Sequence, residues 1–161
     1  AEIVRLVGRD RQAVLGLATG STPLPVYRAL RKQAAGVDLS GVRGFALDEY
    51  VGIAPEHPES YASVIRREVV EPLGLDPELV HVPDGDPERI AVSGEEYERA
   101  IEAAGGVDLQ ILGIGTDGHL GFNEPGSSFA SRTRVKTLTA QTRRDNARFF
   151  PSLDDVPRHC I

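Results

Sequence analysis

His119 stands between two carboxylates, Asp117 two residues before it and Glu124 five residues after it. An imidazole flanked in this way can be oriented, held in one tautomer and used as an acid or base near neutral pH. The stretch that carries it runs Val107-Asp108-Leu109-Gln110-Ile111-Leu112-Gly113-Ile114-Gly115-Thr116-Asp117-Gly118-His119 and continues to Gly121-Phe122-Asn123-Glu124-Pro125. Its first half is a nearly continuous apolar run with β-branched residues, the pattern of a strand buried on both faces of a parallel sheet. Gly113, Gly115 and Gly118 then predict a sharp turn beyond the strand's carboxyl end, where ligands sit in open α/β sheets. Taken alone, a glycine-rich loop with a hydrogen-bonded His and surface acids fits the same residues. The surrounding chemistry has to decide.

Two other stretches bear on it. Gly44-Phe45-Ala46-Leu47 reads as an apolar strand that ends in Asp48-Glu49-Tyr50. An acid at a strand tip is where an α/β fold would hold a general base, although two adjacent acids are also ordinary loop residues. Ala13 to Ala18 reads as a buried strand that runs into Thr19-Gly20-Ser21-Thr22-Pro23 and then a helix from Pro25 to Leu30. Pro23 suits a first helical turn. The backbone N–H groups of Gly20, Ser21 and Thr22, at the positive end of that helix, would make an anion site or simply a capped helix start. The spacing is not that of a P-loop.

These candidates need elements to position them, and the chain supplies a regular alternation. A helix beginning near Ser60 carries Tyr61, Val64, Ile65, Val69 and Leu73 on one stripe, with Gly74 placed to end it. Val80-His81-Val82-Pro83 reads as an edge strand with a structural His81, and His57 reads as a loop or capping residue. Glu95 to Glu102 is an amphipathic helix with a wet charged face. Thr133 to Leu138 alternates as a strand, Ala140 to Phe150 is helical with Arg144 and Arg148 on one face, and Val156 to Ile161 enters a further strand.

Composition bounds the reading. The 161 residues suit one domain, with 40% hydrophobic and 26% charged residues. The lone Cys160 excludes an internal disulfide, so a reducing, cytoplasmic setting is expected. No run in the sequence is long enough to span a bilayer, and the opening residues lead us to expect no signal peptide. A net charge of −6 argues against a nucleic-acid surface. Between Ser131 and Phe150, however, six basic residues face one acid, Asp145, a local +5 that leaves −11 on the remainder. Such a segment suits a small anion or a solvated face.

Five blocks in order resemble the glucosamine-6-phosphate deaminase family: Leu15 to Pro23, Leu47 to Gly52 with His57 to Tyr61, Gly113 to Pro125, Ser131 to Thr139, and Asn146 to Phe150. The related 6-phosphogluconolactonases have Asp-Glu-Arg where this chain has Asp48-Glu49-Tyr50, and lack the run Phe122 to Pro125. The resemblance implies an α/β three-layer, Rossmann-like domain over residues 1–161 with a mostly parallel sheet. It implies deaminating isomerisation of glucosamine 6-phosphate to fructose 6-phosphate and ammonia, without metal or other cofactor. His119, oriented by Asp117 and Glu124, would open the ring. Asp48 would be the base at C2. Thr19, Gly20, Ser21, Thr22 and Arg148 would bind the phosphate.

Some family members are hexamers activated by N-acetylglucosamine 6-phosphate. Ser127, Arg134 and Lys136 match the residues that bind that activator, and a salt-bridged strand is their structural alternative. A homo-oligomer is therefore expected of the intact protein. The family's chains are longer at both ends, so this chain is expected to lack the opening strand and helix and the last strands, leaving apolar faces or edges exposed. The remaining alternatives are a lactonase-like hydrolase and a sugar-phosphate-sensing domain of a regulator.

Overall fold

The protein is described by a computed structural model over residues 2–10, 12–115 and 118–161. Four parallel strands form its main sheet, in the order β3-β2-β1-β4. These are β1 (Val14–Leu17), β2 (Arg43–Ala46), β3 (Val80–His81) and β4 (Leu109–Gln110). β1 is paired along its length with β2, Val14 beside Arg43 and Leu17 beside Ala46, and on its other edge with β4, Leu15 beside Leu109. The chain builds outward from β1 through β2 to β3, then crosses back to put β4 on the opposite side. The loops after β1 and β4 therefore diverge, and a crevice opens between them.

Alternating residues on the strands bury against helices on both faces. On one side Leu15, Leu17 and Ala46 pack with Val7 of α1 (Glu2–Arg9), Tyr27 and Leu30 of α2 (Leu24–Gln33), and Ile65, the last residue of α3 (Tyr61–Ile65). On the other, Val14 and Phe45 pack with Tyr97 of α5 (Ile90–Ala103). This is the expected three-layer arrangement. The opening helix expected to be lacking is instead present as α1, and its Ile3, Val4 and Leu6 also lie against the core.

Several elements are shorter or differently built than their patterns suggest. The helix after Ser60 begins as α3, passes through a π-helical segment over Arg66–Val70, and ends as α4 (Glu71–Leu73) at Gly74, which has φ +67°. Pro72 has no N–H, and its ring crowds the carbonyl one turn back, which favours a widened turn before it. The run from Val107 to Ile114 is a strand only at Leu109–Gln110 and lies at the sheet edge rather than buried on both faces. Among the described residues no strand pairs with its outer edge, and Leu112 is 49% and Ile114 75% exposed. The strand expected over Thr133 to Leu138 is confined to β5 (Lys136–Thr137), antiparallel to β6 (His159–Cys160). β6 also reaches the tip of β2, where Glu49 and Ile161 exchange both backbone hydrogen bonds at 2.9 Å. α6 (Ala140–Asn146) starts at Thr139, whose Oγ1 accepts from the Thr142 N–H.

Candidate active site

At the carboxyl ends of β1, β2 and β4 the structure holds a cavity of about 540 Å³. Thr19, Gly20, Ser21 and Thr22 form one wall, Asp48 lies at its base, His119 enters from the loop after β4, and Arg148 borders it from the turn after α6. Residues far apart in the chain thus meet because three strands end on one edge.

Each wall has a local cause. At the end of β1, the Ala18 N–H donates to the Tyr27 hydroxyl (3.0 Å), and that hydroxyl donates to the Ala18 carbonyl (2.8 Å). Gly20 has φ +88°, a conformation that suits glycine, and turns the chain toward α2. The N-cap of α2 is Pro23, and no side chain caps the first turn. Gly20, Ser21 and Thr22 are exposed at this end. Exposed backbone N–H groups at an uncapped helix start are of the kind that can receive an anion.

At the tip of β2, Asp48 is only 7% exposed. Burial, reinforced by the neighbouring Glu49, lifts its carboxyl from 3.8 to about 7. It can therefore exchange a proton near neutral pH. Gly121 approaches it so closely that a Cβ there would lie 3.1 Å from Asp48 Oδ2. The adjacent Tyr50 is tilted against Tyr61 at 4.9 Å, and Tyr61 stacks on Phe122 at 5.8 Å. Burial pushes the Tyr50 phenol up to about 12 and Tyr61 well above its usual range. These aromatic residues form the apolar side of the cavity. Sequence reasoning placed Tyr61 on a core stripe and assigned no site role to Tyr50, Phe122 or Phe150. The signal available was their place inside the same motif blocks.

The loop after β4 is folded by short backbone links, Gly115 N–H to His119 O at 2.9 Å and Gly118 N–H to Gly115 O at 3.0 Å. The His119 ring packs directly on Gly115, where any side chain would collide with it. Asp117 lies outside the described residues. Glu124 is not a lining residue, but its Oε1 accepts from the hydroxyl of the lining residue Thr142 at 2.9 Å. Arg148 donates to the Asp145 carbonyl at 2.9 Å and lies 4.6 Å from the Phe149 ring centroid.

The other candidates lie away from the lining residues. The Ser127 N–H donates to the Glu124 carbonyl at 3.0 Å, Arg134 donates to Asn123 Oδ1 at 3.0 Å, and Lys136 sits in β5 opposite Cys160. Among the basic residues of segment 131–150, Arg148 alone is among the described cavity-lining residues, while Arg132 pairs with Glu98 and Glu102 and Arg143 donates to the Val156 carbonyl. Arg132, Arg134 and Arg143 thus fasten the segment to its neighbours. His57 accepts from the Glu59 N–H, and His81 stacks on Phe45 at 4.9 Å, as their structural readings expected. Among the described residues, no group of three or more His, Cys, Asp or Glu is disposed to hold a metal ion.

Residues 1–146 match the family model described as glucosamine-6-phosphate isomerases/6-phosphogluconolactonase. A glucosamine-6-phosphate deaminase of Bifidobacterium longum is 61% identical over 172 aligned residues, covering 99% of this chain and 63% of the relative. One from Streptomyces avermitilis is 60% identical over 162, covering 99% and 62%. The chain thus spans less than two thirds of the length of these curated relatives. The solved structure of a monomeric glucosamine-6-phosphate deaminase superposes with a TM-score of 0.94 at 38% identity, over 99% of this chain and 67% of that one. A 6-phosphogluconolactonase from Thermotoga maritima superposes at 0.69 with 24% identity over 99% and 66%, a likeness of fold alone.

Proposed function

This chain belongs to the glucosamine-6-phosphate isomerase/6-phosphogluconolactonase family, and on that basis we propose that the whole protein converts D-glucosamine 6-phosphate into D-fructose 6-phosphate and ammonia. The observation that carries the reading is the juxtaposition in one cavity of the exposed loop Thr19–Thr22, the His119 imidazole and the buried Asp48 carboxyl, which burial pushes up to about 7. The loop Thr19–Thr22 and Arg148 take the phosphate. His119, with Asp117 and Glu124 as its orienting acids, moves a proton from O1 to O5 as the ring opens. Asp48 removes the C2 proton while the substrate's 2-ammonium group gives one proton up to O1, which yields an enolamine, and Asp48 then returns its proton to C1, which leaves an iminium at C2. Water adds there and ammonia departs, so the ketone forms with no net redox change. Each such proton transfer contributes about 10²–10⁴-fold in rate.

The reading extends to a single α/β domain over residues 1–161, a cytoplasmic setting, and N-acetylglucosamine 6-phosphate as an activator held by Ser127, Arg134 and Lys136 in a homo-oligomer. The solved relative described as monomeric makes the assembly a separate question. Ammonia and fructose 6-phosphate release from glucosamine 6-phosphate tests the core proposal, on the 161-residue chain and on the full-length protein. Equimolar products support it. A sugar phosphate bound without ammonia release in either protein overturns it in favour of a sensor. Sedimentation with and without N-acetylglucosamine 6-phosphate tests the assembly and the activator.

A further inference from the structure

Glu49 is 4% exposed, and with Asp48 it makes up the buried carboxylates among the described residues. The steps proposed above give it no task. Its Oε1 accepts from the N–H groups of Tyr50 (2.7 Å) and Tyr61 (2.9 Å), and its Oε2 from that of Ala62 (2.9 Å). The start of α3 already has a cap in Ser60, whose hydroxyl accepts from the Ser63 N–H. A carboxylate buried beside a second carboxylate is an expensive way to add two more acceptors, because each opposes ionisation of the other. It does join elements that must stay in register: the tip of β2 that carries Asp48, the Tyr61 wall and, through its own backbone, Ile161.

We infer that Glu49 is a positioning residue for Asp48: it ties the tip of β2 to the start of α3 and sets a fixed negative charge beside the base. This rests on the reading of Asp48 as the base at C2. Three backbone N–H groups pull the Glu49 carboxyl down against the larger effect of burial, which raises it. The other groups that act on Asp48 or are acted on by it are Tyr50, Tyr61 from α3, Tyr97 from α5 and Cys160 from β6. Burial keeps all four neutral through the range in which Asp48 titrates. His119 and Arg148 share the cavity from its other walls.

The test is the pH profile of kcat in Glu49→Gln and Glu49→Asp. With the charge removed, the acid limb of E49Q moves about one unit to lower pH, whereas E49D keeps the charge and the wild-type limb. A merely structural role lowers kcat without moving the limb, and an E49Q limb at the wild-type position overturns the proposal. Should E49Q fail to fold, carboxyl NMR titration of the wild-type chain decides. Glu49 ionising below Asp48 supports the proposal, and Glu49 holding its proton above the Asp48 midpoint overturns it. The NMR measurement needs no turnover. Absence of ammonia release, with the two carboxyls titrating in that order, therefore counts against the proposed reaction alone.

Discussion

The proposed role of Asp48 as a base and its effect on stability have one cause, its burial. Its carboxyl is raised from 3.8 to about 7 by burial and by Glu49, so the folded protein retains a proton that the unfolded chain releases near pH 4. The sign follows: the favourable contribution is full below about pH 4 and is lost as pH rises through 7. Above that, an ionised buried carboxylate costs on the order of a few kcal/mol. Asp48→Asn is expected to abolish ammonia release, keep sugar-phosphate binding, and melt several degrees higher than wild type at pH 8 but not at pH 4. Calorimetry at the two pH values checks the stability, and normal turnover would remove Asp48 from the mechanism. Arg148 makes a simpler case, since its guanidinium borders the cavity. Arg148→Ala is expected to weaken phosphorylated sugar by about 10–100-fold while leaving free glucosamine nearly unchanged. Equal losses in calorimetric titrations would exclude a phosphate role.

At the scale of elements, the loop after β4 depends on a space that only glycine leaves. The imidazole of His119 lies where a Cβ on residue 115 would have to go. Gly115→Ala is therefore expected to displace the ring and lower kcat by about 100-fold or more, with thermal stability little changed because the loop is outside the core. Steady-state rates alongside a melting curve check it. Local pattern made much of this frame legible in the sequence. β1 and β2 were readable because their apolar runs end abruptly in polar residues, and Gly74 and Ser60 marked the ends of the helix between them. The extent of β4 was not readable, since burial of an apolar run depends on what lies beside it, and a sequence window cannot report a missing neighbour. The π-helical segment was equally hidden, because it follows from Pro72 acting on a turn already committed to helix. Glu49 looked like one of two surface acids, and only the three N–H groups that converge on it reveal its place.

For the whole molecule the decisive fact is the strand order. Because β4 returns to the far side of β1, the loop Thr19–Thr22 and the His119 loop line one crevice, and Asp48 arrives from the neighbouring strand. Among the described residues the same order places β4 at an edge of the sheet, with Leu112 and Ile114 exposed.

The double hydrogen bond between Ala18 and the Tyr27 hydroxyl has one more consequence, and it concerns entropy. A single phenol closes both polar groups at the end of β1 and roots the anion loop in the α2 helix that follows it. The residue that leads into the loop is thus held at both of its backbone polar groups. Less conformational freedom is then lost if the loop binds an anion as proposed, so more of the attraction appears as affinity.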